Sequence, residues 1–130
     1  MKNPFQTGAV QHFERIVRAV DAAAFESGEV HPVYATFALG RDAEWVCRLF
    51  VLEMKDDDEE GIGTYLNIVH HSPALLGQKV EFTGILKEVN GHEVIATFEA
   101  KVGERLVAKG ETGQKILKKE KLNHLLSKVG

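Results

Sequence analysis

Alternation of apolar and polar residues dominates the second half of the chain, whereas the first half carries helical spacing. Ile62, Thr64, Leu66 and Ile68 share one face of a predicted strand that ends at His70-His71-Ser72-Pro73. Val80 and Phe82 begin a second strand that runs to Glu88, and Val94, Ala96, Phe98, Ala100 and Val102 give five alternating apolar positions in a third. Between these two lies Asn90-Gly91, a type I′ hairpin signal, since both central residues of that turn must tolerate positive φ. Leu106 to Leu117 reads as a further strand softened by Gly110 and Gly113. Lys118 to Lys128 follows as a short amphipathic helix with Leu122, Leu125 and Leu126 inward.

Nearer the start, Val10, Phe13, Ile16 and Val17 alternate in part between Gly8 and Val20, which predicts a first strand. Asp21 to Glu29 is a small-residue segment read as a short helical turn or flap, broken at Gly28. The longest helix is predicted from His31-Pro32, because proline at a first helical position lacks an N–H that would be unsatisfied anyway. It runs to about Leu52. Val33, Phe37, Leu39, Val46, Leu49 and Phe50 are apolar within it, while Arg41, Asp42, Arg48 and Glu53 interrupt the stripe, so the apolar face is wide and calls for cover. Asp56-Asp57-Asp58-Glu59-Glu60 before Gly61 reads as a solvated loop. One strand, one long helix and four hairpin-linked strands predict an α+β architecture, an antiparallel sheet wrapped around one long central helix, which is the hotdog fold. Its 130 residues suit a single domain over 1–130. A free sheet edge can pair with a second copy, so a homodimer, or a dimer of such dimers, is expected.

Composition narrows the function classes. Apolar residues make up 44% and charged residues 27%, the balance of an ordinary globular protein. The net charge of −3 arises from 16 basic and 19 acidic residues spread along the chain, which leaves no broad positive field for a nucleic acid. No apolar run approaches bilayer length, the first residues lack a signal-like apolar stretch, and the lone Cys47 has no partner for an intramolecular disulfide. A cytoplasmic protein without membrane insertion is expected.

Three polar residues stand out: Thr36, Glu44 in mid-helix, and His70 at a strand end. Each alone has an ordinary structural explanation; together they suit acyl transfer. Histidine shuttles protons near neutral pH and a carboxylate orients or assists it, with threonine as nucleophile or water positioner. A thioester suits such a set because its sulfur leaves readily. An oxyanion donor is available from the backbone beside a glycine such as Gly63. Thr36 and Glu44 are eight residues apart, about 12 Å along a continuous helix at roughly 1.5 Å per residue. Either Thr36 sits at a bent helix start or the carboxylate comes from a partner chain, which puts the site at a subunit interface.

Other motifs carry less. His70 and His71 are adjacent on a strand and point to opposite faces, and no zinc-spaced cluster accompanies them, so no metal is expected. Gly61 and Gly63 do not form a nucleotide phosphate loop. Cys47 reads as core. The lysines at 115, 118, 119, 121 and 128 form the wet face of the last helix, or attract the phosphates of a coenzyme A substrate.

Val30-His31-Pro32-Val33-Tyr34-Ala35-Thr36, then Glu44, Gly61-Ile62-Gly63-Thr64, His70, Gly77 and the Val89-Asn90-Gly91 hairpin resemble the fluoroacetyl-CoA thioesterase-like branch of hotdog thioesterases. The resemblance extends from about residue 8 to 120. It implies an acyl-CoA thioesterase with Thr36, Glu44 and His70 as the catalytic set in a pocket between subunits, and the backbone at Gly63 near the thioester carbonyl. It also implies a lid or acyl pocket from Val20 to Val30, in which Phe25 is a pocket wall or a core anchor of the flap. No cofactor is implied, coenzyme A being part of the substrate. The family pattern often has an arginine four residues after the glycine matching Gly110, where this chain has Gln114. A general short or medium acyl-CoA is expected in place of the fluorinated substrate. Two other readings are a hotdog enoyl-thioester hydratase, for which Asp42 is the only helix aspartate, and a non-catalytic acyl-CoA or acyl-carrier binding module.

Overall fold

The computed structural model describes residues 1–25 and 28–130, with side chains described outside 24–30. Its main sheet contains β1 (Val10–Ile16), β4 (Glu59–His70), β5 (Lys79–Asn90), β6 (Glu93–Val102) and β7 (Arg105–Lys118). They are antiparallel throughout, in the order β1-β5-β6-β7-β4. A second, two-stranded sheet pairs β2 (Ala22–Phe25) with β3 (Gly28–Tyr34). The long helix α1 spans Thr36–Met54 and touches all five strands of the main sheet, and α2 covers Lys119–Val129. This is the expected α+β hotdog architecture.

One face of α1 supplies Leu39, Ala43, Val46, Cys47, Phe50, Val51 and Met54, all buried against Val80, Phe82, Leu86, Phe98, Ala108 and Ile116 of the sheet. Cys47 is buried, the core residue the sequence predicts, and that burial pushes its thiol up to about 11. Phe37, read as part of the same apolar stripe, is instead 88% exposed.

Several sequence expectations are corrected. The helix begins at Thr36, because His31-Pro32 lies in β3, where Pro32 still offers its C=O to Leu76 N–H. The described residues between Ala22 and Glu29 are extended rather than helical. A 3-10 turn at Ala19–Asp21 leads into the β2–β3 pair. Ile62 and Thr64 do not share a face with Leu66 and Ile68, since a bulge between Gly63 and Tyr65 changes the alternation. Gly61 and Gly63 face α1 before it, Leu66 and Ile68 after it. The β5–β6 turn is centred on Gly91-His92 rather than Asn90-Gly91: Asn90 pairs with Glu93, and Gly91 alone has positive φ, the pattern of a type II′ turn. Glu59 is buried, accepting from the Asp56 N–H and the N-terminal ammonium, so the acidic loop is solvated only in part. Leu125 and Leu126 of α2 are 43% and 53% exposed and do not point inward.

A buried ion cluster fixes the start of α1. Asp42, 2% exposed, accepts hydrogen bonds from Arg15 on β1, Arg41 beside it and the Tyr34 hydroxyl on β3. Asp21 accepts from Arg18 and Arg41. The Arg18 and Arg41 guanidinium groups outweigh the cost of burial and hold the Asp21 carboxyl far below the usual range. Burial would raise the Asp42 pKa, yet Arg15, Arg41 and Tyr34 keep it low. Removing one partner of such a set leaves the others uncompensated, so Asp42→Ala should lower stability by about 3 kcal/mol, read as a fall in the urea unfolding midpoint. An unchanged midpoint would show that Asp42 is dispensable to the fold.

Candidate active site

Thr36 is the first residue of α1. Ala35 occupies the cap position and has no side chain with which to cap. The first helical bond runs from Leu39 N–H to Ala35 C=O, so the N–H groups of residues 36–38 precede the helical ladder. Together with the aligned peptide dipoles they make this end of the helix locally positive. Alongside it, His70 closes β4, and Thr36 Oγ1 lies 2.9 Å from His70 Nδ1. With the ring proton on Nε2, the hydroxyl donates to Nδ1; Nε2 itself is buried without a partner.

Burial pulls the His70 pKa below its ordinary 6.5, a hydrogen bond with the Ser72 backbone opposes this, and His71 lowers it further. The shift favours the neutral imidazole, the form able to take a proton from the hydroxyl.

Glu44 lies two turns farther along α1, against Gly63 of β4. A Cβ at Gly63 would stand 2.7 Å from Glu44 Oε1, so the glycine makes room for the carboxylate. The neighbouring cations are engaged elsewhere: Arg41 binds Asp21 and Asp42, and Arg48 donates to Gly61 C=O and pairs with Glu60. Thr36 and Glu44 both line one open cleft of about 550 Å³, walled by Phe37, Trp45, Leu66 and Ile68. The helix is continuous between them, which keeps them about 12 Å apart.

Thr36 and Glu44 thus stand on one cleft, with His70 in hydrogen-bond contact with Thr36 and Gly63 packed against Glu44. The Phe25 side chain, and with it the expected pocket wall, lies outside the described residues. Asp42 is committed to two arginines and a tyrosine, which removes the residue a hydratase reading requires. Two features of the cleft escape the sequence reading. One is the uncapped helix start, signalled by alanine where Ser, Thr, Asp or Asn is usual and hidden by the misplaced helix boundary. The other is the exposure of Phe37, which the apolar stripe places in the core, and of Trp45 beside it on the cleft. In a proton NMR titration the His70 ring should show a midpoint below 6.5; a midpoint at or above that value would contradict the burial of its imidazole.

The family model for the fluoroacetyl-CoA-specific thioesterase FlK matches residues 17–120. Among solved structures, a Thermus thermophilus hypothetical protein described as a thioesterase superfamily member is 34% identical. The alignment covers 97% of this chain and 93% of that one, with a TM-score of 0.92. A variant of the fluoroacetyl-CoA thioesterase FlK in complex with fluoroacetate is 19% identical, with 97% and 99% covered and a TM-score of 0.86. A hot-dog-like protein from Thermanaerovibrio acidaminovorans is 18% identical, with 95% and 92% covered and a TM-score of 0.86. These last two share the fold. No curated protein matches the chain by sequence. A family match over most of the chain, on a fold that agrees from end to end with a thioesterase superfamily member, establishes that this protein belongs to the fluoroacetyl-CoA-specific thioesterase family of hotdog enzymes.

Proposed function

We propose that this thioesterase hydrolyses short or medium acyl-CoA thioesters at a site shared by two copies of the chain, with Thr36, Glu44 and His70 as its chemical groups. The observation that carries this reading is the Thr36–His70 hydrogen bond at the uncapped start of α1, at the mouth of an apolar cleft. Neutral His70 accepts the proton of the Thr36 hydroxyl, or of a water that the hydroxyl aligns, and the oxygen adds to the thioester carbonyl. Helix-start N–H groups, and the Gly63 N–H that comes with Glu44 from the second copy, are donors for the oxyanion. The carbon–sulfur bond then breaks and the departing thiolate takes the proton back. When Thr36 attacks, the resulting acyl-threonine ester is hydrolysed in turn: Glu44 orients a water and accepts its proton, the water oxygen adds to the ester carbonyl, and the bond to Thr36 breaks as its oxygen takes up that proton. When water attacks directly, Glu44 orients it and His70 alone takes the proton. The balance is one acyl-CoA and one water giving a free acid and coenzyme A.

Two copies enter because one chain holds Thr36 and Glu44 too far apart to serve one carbonyl. β4 is a twelve-residue edge strand with Ile62, Leu66 and Val69 exposed, an edge that pairing with a second copy would cover. A partner seated there brings its own Glu44 toward Thr36 and His70. The cleft walls are apolar and suit an acyl chain, without any feature that singles out fluorine.

Release of free thiol from acyl-CoAs of increasing chain length tests the reaction. Wild type should release coenzyme A, and His70→Ala should lower turnover by about 10²- to 10⁴-fold with folding intact. The acid limb of kcat/KM should have its midpoint below 6.5, since the neutral imidazole is the active form and falling pH removes it. Binding without thiol release in wild type would favour an acyl-CoA binding module instead. Mixing Thr36→Ala chains with Glu44→Gln chains tests the shared site. One site of each mixed dimer is then intact, and about a quarter of wild-type turnover should return on statistical re-pairing. No recovery would confine the site to a single chain.

A further inference from the structure

Gln114 is 1% exposed, and its Oε1 has no hydrogen-bond partner. A buried amide oxygen left unpaired costs its lost hydration, so its presence asks for a reason beyond packing. Its position supplies one. Gln114 on β7 is the direct register partner of Gly63 on β4, and Glu44 Oε1 occupies the space in front of Gly63. Directly opposed residues on antiparallel strands have Cβ positions about 5 Å apart, an interval that the two methylenes and amide of a glutamine span. The other groups around Glu44 offer it little. Arg41 and Arg48 on its own helix are held by Asp21, Asp42, Glu60 and the Gly61 carbonyl. Cys47 is a buried thiol pushed up to about 11, and from β4 the neighbours are Thr64, Tyr65 and Leu66. Thr112, two residues before Gln114, is likewise buried with its hydroxyl unpartnered.

We infer that Gln114 is a positioning residue that pairs with Glu44 through its side-chain amide during turnover. This rests on the proposed role of Glu44 in accepting a proton from the attacking water. An amide is suited to that task because a half-turn about its last torsion exchanges donor for acceptor. Nε2 donates to the ionised carboxylate, and Oε1 accepts from the carboxyl once the proton has arrived. A cation in the same place would hold only the ionised form, and a second carboxylate would repel it.

Gln114→Met and Gln114→Glu, compared with wild type and Glu44→Gln, separate this role from a structural one. Methionine keeps the length and removes both hydrogen-bonding groups. Relief of the unpaired oxygen should leave the melting temperature of Gln114→Met equal to or above that of wild type. Its kcat should fall by about tenfold or more with KM little changed. Gln114→Glu sets a second carboxylate beside Glu44 and should move the acid limb of kcat to higher pH. A lower melting temperature with unchanged kcat and acid limb in Gln114→Met would make Gln114 a packing residue and overturn the inference. Loss of turnover in Glu44→Gln beside a silent Gln114→Met overturns this inference alone. Full turnover in Glu44→Gln overturns the reading on which it rests.

Discussion

Close contact between one face of α1 and the edge strand β4 is the constraint on which the cleft depends. Three glycines permit it. A Cβ at Gly40 would meet Ile68 Cδ1 at 2.9 Å, one at Gly61 would meet Val51 Cγ1 at 2.5 Å, and one at Gly63 would meet Glu44 Oε1 at 2.7 Å. The bulge between Gly63 and Tyr65 then reverses the alternation, so that Leu66, Ile68 and the terminal His70 continue the face that Gly61 and Gly63 begin. Without the extra residue, His70 would stand on the opposite face of the sheet from Thr36.

The other side of α1 is secured by charge rather than by close packing. Asp21 and Asp42 gather three arginines and Tyr34 from β1, the 3-10 turn, β3 and the helix itself. Tyr34 is two residues before Thr36, so the cluster also determines where the helix starts and where the hydroxyl stands. Hydrogen bonds from Ala35 N–H to Asp21 C=O and from Tyr34 N–H to Ala74 C=O hold the same segment from both sides. A backbone anchored this densely can leave its first helical N–H groups uncapped, which is the condition for an anion-stabilising end beside the Thr36–His70 pair.

Membership of a thioesterase family and the local geometry meet at the cleft. The family identifies the class of enzyme. In the proposed reaction the groups are modest: an imidazole whose pKa burial lowers, a hydroxyl in hydrogen-bond contact with it, and a carboxylate seated against a glycine. Thioesters have a good leaving group, so a site of this kind needs alignment and a proton acceptor more than an activated nucleophile.

The strands from Ile62 onward, the long helix and the hotdog architecture were legible in the sequence because alternation and helical spacing report directly on which faces are buried. Thr36, Glu44 and His70 were legible as polar residues in apolar surroundings, and their eight-residue separation already implied that one straight helix could not bring Thr36 and Glu44 together. Tertiary structure decided the rest. Whether Pro32 opens a helix or lies in a strand depends on β2 pairing with β3 and on Tyr34 reaching Asp42, contacts remote from the local pattern. The bulge that aims His70 at Thr36, the burial of Gln114 opposite Gly63, and the commitment of Asp42 to arginines likewise come from long-range pairing. Periodicity along a chain records burial; it does not record which distant residue satisfies a buried charge or meets a glycine across a sheet.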